Sequence, residues 1–194
     1  MPVQSRSAAL LPTFSKTISG GLMLAAALGL SLAASTSAVA AACEVSMEQT
    51  WLGDLVASAR TSGPCDAASI DLVVRNGVDE VVWSASHAST DLFGFDGIED
   101  ADSMGIALGD WLGDYADNPS SSRLPEWPEG VDMPDAGEFP FYVEEGVSRD
   151  VYETLRTADY PMVCYIQGHE STLCLVKQPD AGALTNVGAQ SFPG

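Results

Sequence analysis

Alternating apolar and polar residues predict a β-hairpin in the first half of the chain. The alternation runs on both sides of Asn76-Gly77, a dipeptide that tolerates the positive φ angles of a type I′ turn. A turn centred there pairs Leu72 with Val81 and Ile70 with Trp83, and it places both pairs on one face. The sequence therefore predicts a hairpin with this register.

A second hairpin is predicted near the C-terminus. Two apolar runs, Met162 to Gln167 and Thr172 to Lys177, follow Pro161 and are joined by four residues that begin with Gly168. The remainder, residues 178–194, is rich in Gly, Ala and Pro, and we expect it to be a loose tail.

Helical spacing predicts a first helix that begins at Ser46 and ends at Gly63-Pro64. Ser46-Met47-Glu48-Gln49 matches a capping box. The apolar positions on one side of the helical wheel are Met47, Trp51, Leu52, Leu55, Val56 and Ala59. In an alternative interpretation, residues 43–47 form a strand that precedes a shorter helix.

Two more helices are predicted, over residues 103–117 and from Ser148 to about Ala158. The apolar stripe of the former contains Met104, Leu108, Trp111, Leu112 and Tyr115. Three glycines lie beside this stripe (Gly105, Gly109 and Gly113), and each costs a helix about 1 kcal/mol relative to Ala. We infer that this strip packs closely on a sheet. The third helix has Ser148 as its N-cap, and its expected buried face is Val151, Tyr152, Leu155 and Ala158.

The order of these elements indicates an α+β fold. We expect a mostly antiparallel sheet built from two hairpins, with about three helices packed on it, as a single domain over residues 41–177. Residues 118–140 contain five prolines and are expected to form a long loop.

The N-terminus has the pattern of a signal peptide. A run of small and apolar residues, 21–34, follows Arg6 and Lys16, and Ala38-Val39-Ala40 matches a cleavage motif. We therefore expect residues 1–40 to be removed, with the cut after Ala40 or Ala42, and the protein to be periplasmic or extracellular. The alternatives are a retained anchor and a lipoprotein acylated at Cys43.

Export would favour disulfides between the four cysteines. Four cysteines allow three connectivities, of which we expect the two local pairs, Cys43–Cys65 and Cys164–Cys174. Without a C-x-x-C motif, the sequence does not favour a metal site or a redox-active pair.

Charge narrows the possible partners. The 194 residues carry a net charge of −19, but all 27 acidic residues and only 6 of the 8 basic residues lie beyond residue 40, which gives that part −21. Nucleic acid is therefore not an expected partner, since phosphate binding requires clustered Lys and Arg. A basic exported protein is the expected partner, because the acidic charge would steer association with it.

The sequence offers few candidates for chemistry. It lacks G-x-S-x-G, H-E-x-x-H, G-x-x-x-x-G-K-[ST] and G-x-G-x-x-G motifs, and it indicates no cofactor. His87 at a strand end and His169 in a turn are the candidate catalytic histidines if the protein is a hydrolase. Calcium could bind the acidic stretch through Asp96, Glu99, Asp100 and Asp102, although these residues do not fit an EF-hand and two of them could instead stabilise a helix N-terminus.

Trp127 lies between Pro125 and Pro128 in the long loop, where it could contact a partner or fill the edge of the core.

Our leading hypothesis is a non-catalytic binding or inhibitory module that recognises a basic partner. An exported hydrolase and a calcium-stabilised envelope protein are the alternatives. The sequence does not indicate an oligomeric state.

Overall fold

The fold consists of two antiparallel sheets and two helices in residues 42–192, the part of the chain described by a computed structural model. The elements in chain order are β1 (Ser46–Trp51), β2 (Leu55–Ser62), β3 (Ser69–Arg75), β4 (Val81–Ala88), α1 (Ala101–Leu112), β5 (Ala116–Asp117), β6 (Phe141–Val143), α2 (Arg149–Ala158), β7 (Met162–Gly168), β8 (Ser171–Val176) and β9 (Thr185–Ser191). The first sheet is a meander in the order β1-β2-β3-β4, and the second has the order β5-β7-β8-β9-β6. The α+β class is confirmed, but the described residues form two helices rather than about three.

The first expected helix is wrong, because its residues form the β1–β2 hairpin. Trp51 and Leu55 face each other across a tight turn in which Leu52 and Gly53 have positive φ angles of 50° and 85°. Burial along β2 alternates, with Leu55 and alternate residues after it facing the core. Pairing with β3 provides hydrogen-bond partners for the backbone of β2, which stabilises the strand relative to the expected helix.

The β3–β4 hairpin is confirmed, but its register differs from the expected one. Leu72 pairs with Ala85 instead of Val81, and Ile70 pairs with His87 instead of Trp83, so each partner lies four residues further along β4. Residues 76–80 form a longer connection than a two-residue turn. The Asn76 side-chain oxygen accepts hydrogen bonds from the backbone N–H groups of Val78 and Glu80, which stabilises that connection.

Both observed helices begin at side-chain caps. The Asp100 carboxylate accepts a hydrogen bond from the Ser103 N–H at 2.8 Å, and Ser148 caps α2 through the Val151 N–H. The glycine strip of α1 faces the first strand: a methyl group at Gly109 would lie 3.7 Å from the end of the Met47 side chain. The apolar stripe expected for α1 is buried except for Tyr115. Of the buried face expected for α2, only Tyr152 and Leu155 are buried.

The second sheet has a buried core on each face. Val163, Tyr165 and Leu175 pack with the first sheet and α1, while Met162 and Val176 pack with α2 and part of the proline-rich segment. The expected loose tail contains β9, which pairs with both β8 and β6. Residues 118–140 include a short 3-10 turn at Ser121–Arg123 and an isolated bridge between Glu126 and Asp135.

Both expected disulfides are present. Cys43 bonds to Cys65, and Cys164 bonds to Cys174, its direct partner across β7 and β8. Cys43 is fully buried in the described structure, and its sulfur is bonded to that of Cys65. The expected signal peptide lies outside the described residues. Neither helix in residues 42–192 is long and apolar enough to cross a membrane.

Candidate functional site

An open cleft of about 500 Å³ lies between β4 and the second sheet. We call it the cleft throughout. Its lining residues are Trp83, Ser84, Ala85, His87, Tyr142, Val143, Glu144, Glu145, Tyr165, Gln167, Leu173, Asn186 and Ala189. Four strands of the second sheet and the segment after β6 therefore face the edge strand of the first.

Strand alternation places the side chains of β4 in the cleft. Trp83, Ala85 and His87 are half-buried on the inner face, while Ser84 and Ser86 are exposed on the outer face. The His87 ring packs edge-on against Trp111 and Tyr165, with ring centroids 5.5 and 6.0 Å apart. Aromatic packing thus holds the His87 ring in place.

Three polar atoms in the cleft lack a hydrogen-bond partner. They are Trp83 Nε1, His87 Nε2 and Tyr165 Oη, and they are the only buried side-chain nitrogen or oxygen atoms in residues 42–192 of which this is true. Trp111 provides a contrast, because its indole N–H donates to the Ile166 carbonyl at 2.7 Å. Buried polar groups are normally hydrogen-bonded, so these three atoms leave hydrogen-bonding capacity in the cleft for water or a ligand.

The floor of the cleft is uncharged at neutral pH. Burial lowers the pKa of His87 below 6.5, and burial raises the pKa of Tyr165 to about 12. The Trp83 N–H faces the Tyr165 hydroxyl and opposes that rise in pKa, but the two groups do not reach hydrogen-bond geometry. Both rings can therefore act as neutral hydrogen-bonding groups.

The mouth of the cleft is acidic. Glu144 and Glu145 are exposed there, and no Lys or Arg is among the lining residues. Asn186 donates a hydrogen bond to the Glu144 carboxylate, which fixes that side chain against β9. The charges on the cleft therefore favour a cation over an anion.

The wall that carries these glutamates depends on Gly188. β6 has β9 as its strand partner, and Val143 lies opposite Gly188. Gly188 has a φ of 145°, and a methyl group there would lie 2.3 Å from the Tyr142 carbonyl oxygen. Glycine therefore permits the close approach that places the cleft wall.

The two candidate histidines lie in different surroundings. His87 Nε2 has no hydrogen-bond partner in residues 42–192. His169 lies on the surface in the β7–β8 turn, where its Nε2 is 2.8 Å from the Thr90 carbonyl oxygen. The two histidines do not share a site.

The candidate calcium residues do not converge in the described structure. Residues 42–192 contain no group of three or more His, Cys, Asp or Glu side chains placed to hold a metal ion. Asp100 is the N-cap of α1, and hydrogen bonds from the Ser103 backbone and side chain lower the pKa of its carboxyl group. This geometry is that of helix capping.

Trp127 packs on the protein itself. Its ring lies edge-on to Tyr152 at 5.5 Å, and its indole N–H donates to the Val131 carbonyl at 3.0 Å. Its backbone is held as well, since its N–H donates to Glu153 and its carbonyl accepts from Arg149. Trp127 lies at the edge of the second core and does not line the cleft.

Sequence reasoning found one wall of the cleft and missed the other. The alternation through Trp83 and His87 is visible in the sequence, but Tyr165, Glu144 and Glu145 come from distant segments that carry no recognisable motif.

Comparison with known proteins finds no matching family model, no matching curated protein and no matching solved structure.

Proposed function

We propose that this protein is an exported, non-catalytic binding module that recognises a basic partner, and that the cleft is its binding site. The observation that carries the proposal is the set of three unpartnered polar atoms, Trp83 Nε1, His87 Nε2 and Tyr165 Oη. A bound group with both donors and acceptors would satisfy all three. Export is compatible with the two disulfides of the described chain.

The charge and aromatic content of the cleft support a cationic ligand. Glu144 and Glu145 supply two negative charges at the mouth, and the Tyr142 ring beside them is 53% exposed. A Lys or Arg side chain of the partner could contact these carboxylates and an aromatic face together. An ammonium group that reached the floor would donate hydrogen bonds to the neutral His87 ring and the Tyr165 hydroxyl.

The experiment is a titration of the purified protein with a peptide of alternating Lys and Thr, about eight residues long, at low and high salt. We expect binding that weakens with salt. The variant E144Q/E145Q should weaken binding about tenfold, because it removes both carboxylates at the mouth. E126Q/E129Q is the matched control, since it removes the same charge from exposed residues that do not line the cleft.

A second variant tests the floor. Tyr165→Phe keeps the aromatic ring and removes the hydroxyl that would accept a hydrogen bond from an ammonium group, so we expect weaker binding with little loss of stability, because that hydroxyl has no partner in the described protein. Equal loss of binding in the two glutamate variants would mean nonspecific attraction to the net charge, and it would reject the cleft as the site.

A further inference from the structure

β4 has an exposed backbone edge beside the cleft. It is the last strand of the order β1-β2-β3-β4, so only one of its edges is paired within the sheet. The register fixes which groups are paired. The Ser89 N–H donates to the Ala68 carbonyl, and hydrogen-bonded pairs alternate along an antiparallel ladder. The next such pairs are Ile70–His87 and Leu72–Ala85.

The backbone N–H and C=O groups of Ser84 and Ser86 therefore point away from β3. Both residues are exposed, and no backbone group from another element of residues 42–192 bonds to them. The same edge already accepts one backbone donor from the chain: the Leu184 N–H bonds to the Val82 carbonyl at 2.9 Å. The edge is thus geometrically able to pair and is left open at Ser84 and Ser86.

This edge lacks the usual protection against pairing. Exposed edge strands normally carry Lys, Pro or inward-pointing charges that prevent another strand from adding. β4 has the sequence VVWSASHA, without proline, Lys, Arg, Asp or Glu. The bulge between Val74 and Arg75 lies at its start, before the open stretch. The small side chains Ser84 and Ser86 leave the backbone accessible.

We propose that the partner binds by strand addition: an extended, basic segment pairs with the open edge of β4 at Ser84 and Ser86. This inference rests on the proposed function and states how the basic partner is recognised. Main-chain hydrogen bonds would supply affinity. Side chains of an added strand alternate between faces, so every second side chain would point to the same face as Trp83 and His87, into the acidic cleft.

The choice of a polypeptide over a small amine follows from the shape of the site. A small cation needs only the carboxylates and aromatic rings, and it would leave the edge of β4 in water. An extended segment with basic residues at alternate positions uses the edge and the cleft together. Glu144 and Glu145 would select basic side chains, and the uncharged edge would accept any backbone.

The test uses Ser84→Pro, which removes an outward N–H. Proline is tolerated on an edge strand where the N–H faces solvent, and the ladder with β3 does not use this group. We expect Ser84→Pro to weaken binding of the Lys-Thr peptide about tenfold, the effect of one main-chain hydrogen bond. Ser84→Ala is the matched control and should bind within about twofold. Binding of 1,5-diaminopentane should not change in either variant.

A second arm leaves the protein unchanged. Lys-Thr peptides N-methylated at alternate residues lose the donors on one edge only. Methylation of the lysines should differ from methylation of the threonines by about tenfold, because one edge of an added strand faces β4. This arm decides the question if Ser84→Pro fails to fold.

The two proposals fail in different ways. Strand addition is rejected if Ser84→Pro binds the Lys-Thr peptide as tightly as the unchanged protein does, and if both methylated peptides bind the unchanged protein as tightly as the unmethylated peptide does. If E144Q/E145Q still loses affinity in that case, the cleft remains a binding site for cations. If the unchanged protein binds neither the peptide nor the diamine, the proposed function fails and strand addition fails with it.

Discussion

His87 is the group in the cleft whose charge changes nearest to neutral pH. Its pKa is lowered by burial in the folded protein, whereas in the unfolded chain the ring titrates near 6.5. The folded state therefore binds fewer protons just below pH 6.5, so stability is full above that pH and falls as the pH drops through it. The other titratable groups that line the cleft are Tyr165, whose pKa is raised by burial, and the exposed Glu144 and Glu145.

We predict that the melting temperature falls less between about pH 7.5 and about pH 5.5 in His87→Gln than in the unchanged protein. Most carboxylates titrate below this window, so His87 accounts for the difference. His169→Gln is the control, because His169 is exposed, and its pH profile should match that of the unchanged protein. Identical profiles for all three proteins would contradict the burial of a neutral His87.

Trp127, a candidate contact residue, packs against α2 in the described structure. Its ring contacts Tyr152, and its backbone bonds to Glu153 and Arg149 of α2. We predict that Trp127→Ala lowers the free energy of unfolding by about 3 kcal/mol. Binding of the Lys-Thr peptide should remain within about twofold, since Trp127 does not line the cleft. Denaturant unfolding and titration of the same variant measure both effects, and lost affinity at unchanged stability would restore Trp127 as a contact residue.

Among the elements, hairpins were easier to predict than the first helix. Period-two alternation predicted β3 and β4, and two apolar runs after Pro161 predicted β7 and β8. Trp51, Leu55 and Ala59 are four residues apart, a spacing that places residues on one side of a helix and also on one face of a strand. Gly53, in the middle of the expected helix, was the available signal for a turn.

The missed parts share a physical cause. β9 is rich in small and polar residues and β6 is short. β9 becomes a strand because β8 offers it an edge, and β6 then pairs with the free edge of β9. The cleft was predictable only on its β4 side. Its other wall depends on pairings between segments far apart in sequence, and local patterns do not encode those pairings.

Gly188 is the position on which the β6 wall depends. We predict that Gly188→Ala destabilises the protein by about 2–4 kcal/mol, because the new methyl group would clash with the Tyr142 carbonyl and φ would be strained. Gly182→Ala is the control, since nothing lies within 4 Å of a methyl group there, and we expect a change of no more than about 0.5 kcal/mol. Thermal unfolding of both variants checks this, and equal stability would show that β6 can move away at no cost.

At the scale of the whole molecule, the two disulfides each close a local loop of the chain, one before β3 and one between β7 and β8. The Cys43–Cys65 pair closes a span of 22 residues and Cys164–Cys174 one of 10. We predict that Cys43→Ala/Cys65→Ala costs more stability than Cys164→Ala/Cys174→Ala, by about 0.7 kcal/mol from chain entropy alone, with each loss about 2–4 kcal/mol. Denaturant unfolding of the two double variants measures this difference. The reverse order would mean that native packing around the bonds outweighs chain entropy.

The net charge of −21 beyond residue 40 acts on the molecule as a whole. We predict that salt raises the melting temperature by screening repulsion between the acidic side chains. Calcium and magnesium chloride at equal ionic strength should give equal shifts, because residues 42–192 place no cluster of carboxylates around a common point. A larger shift with calcium than with magnesium would support the calcium-stabilised alternative.

The two sheets also differ in how much of the chain each needs before it can form. The meander uses residues 46–88 in sequential order, so each strand finds its partner as soon as it appears. The second sheet must wait for β9, which separates β8 from β6 and ends at Ser191. The β6 wall therefore forms only after Ser191 is available for pairing. A chain cut before β9 would present the completed edge of β4 with no opposite wall, free to pair with a neighbouring copy.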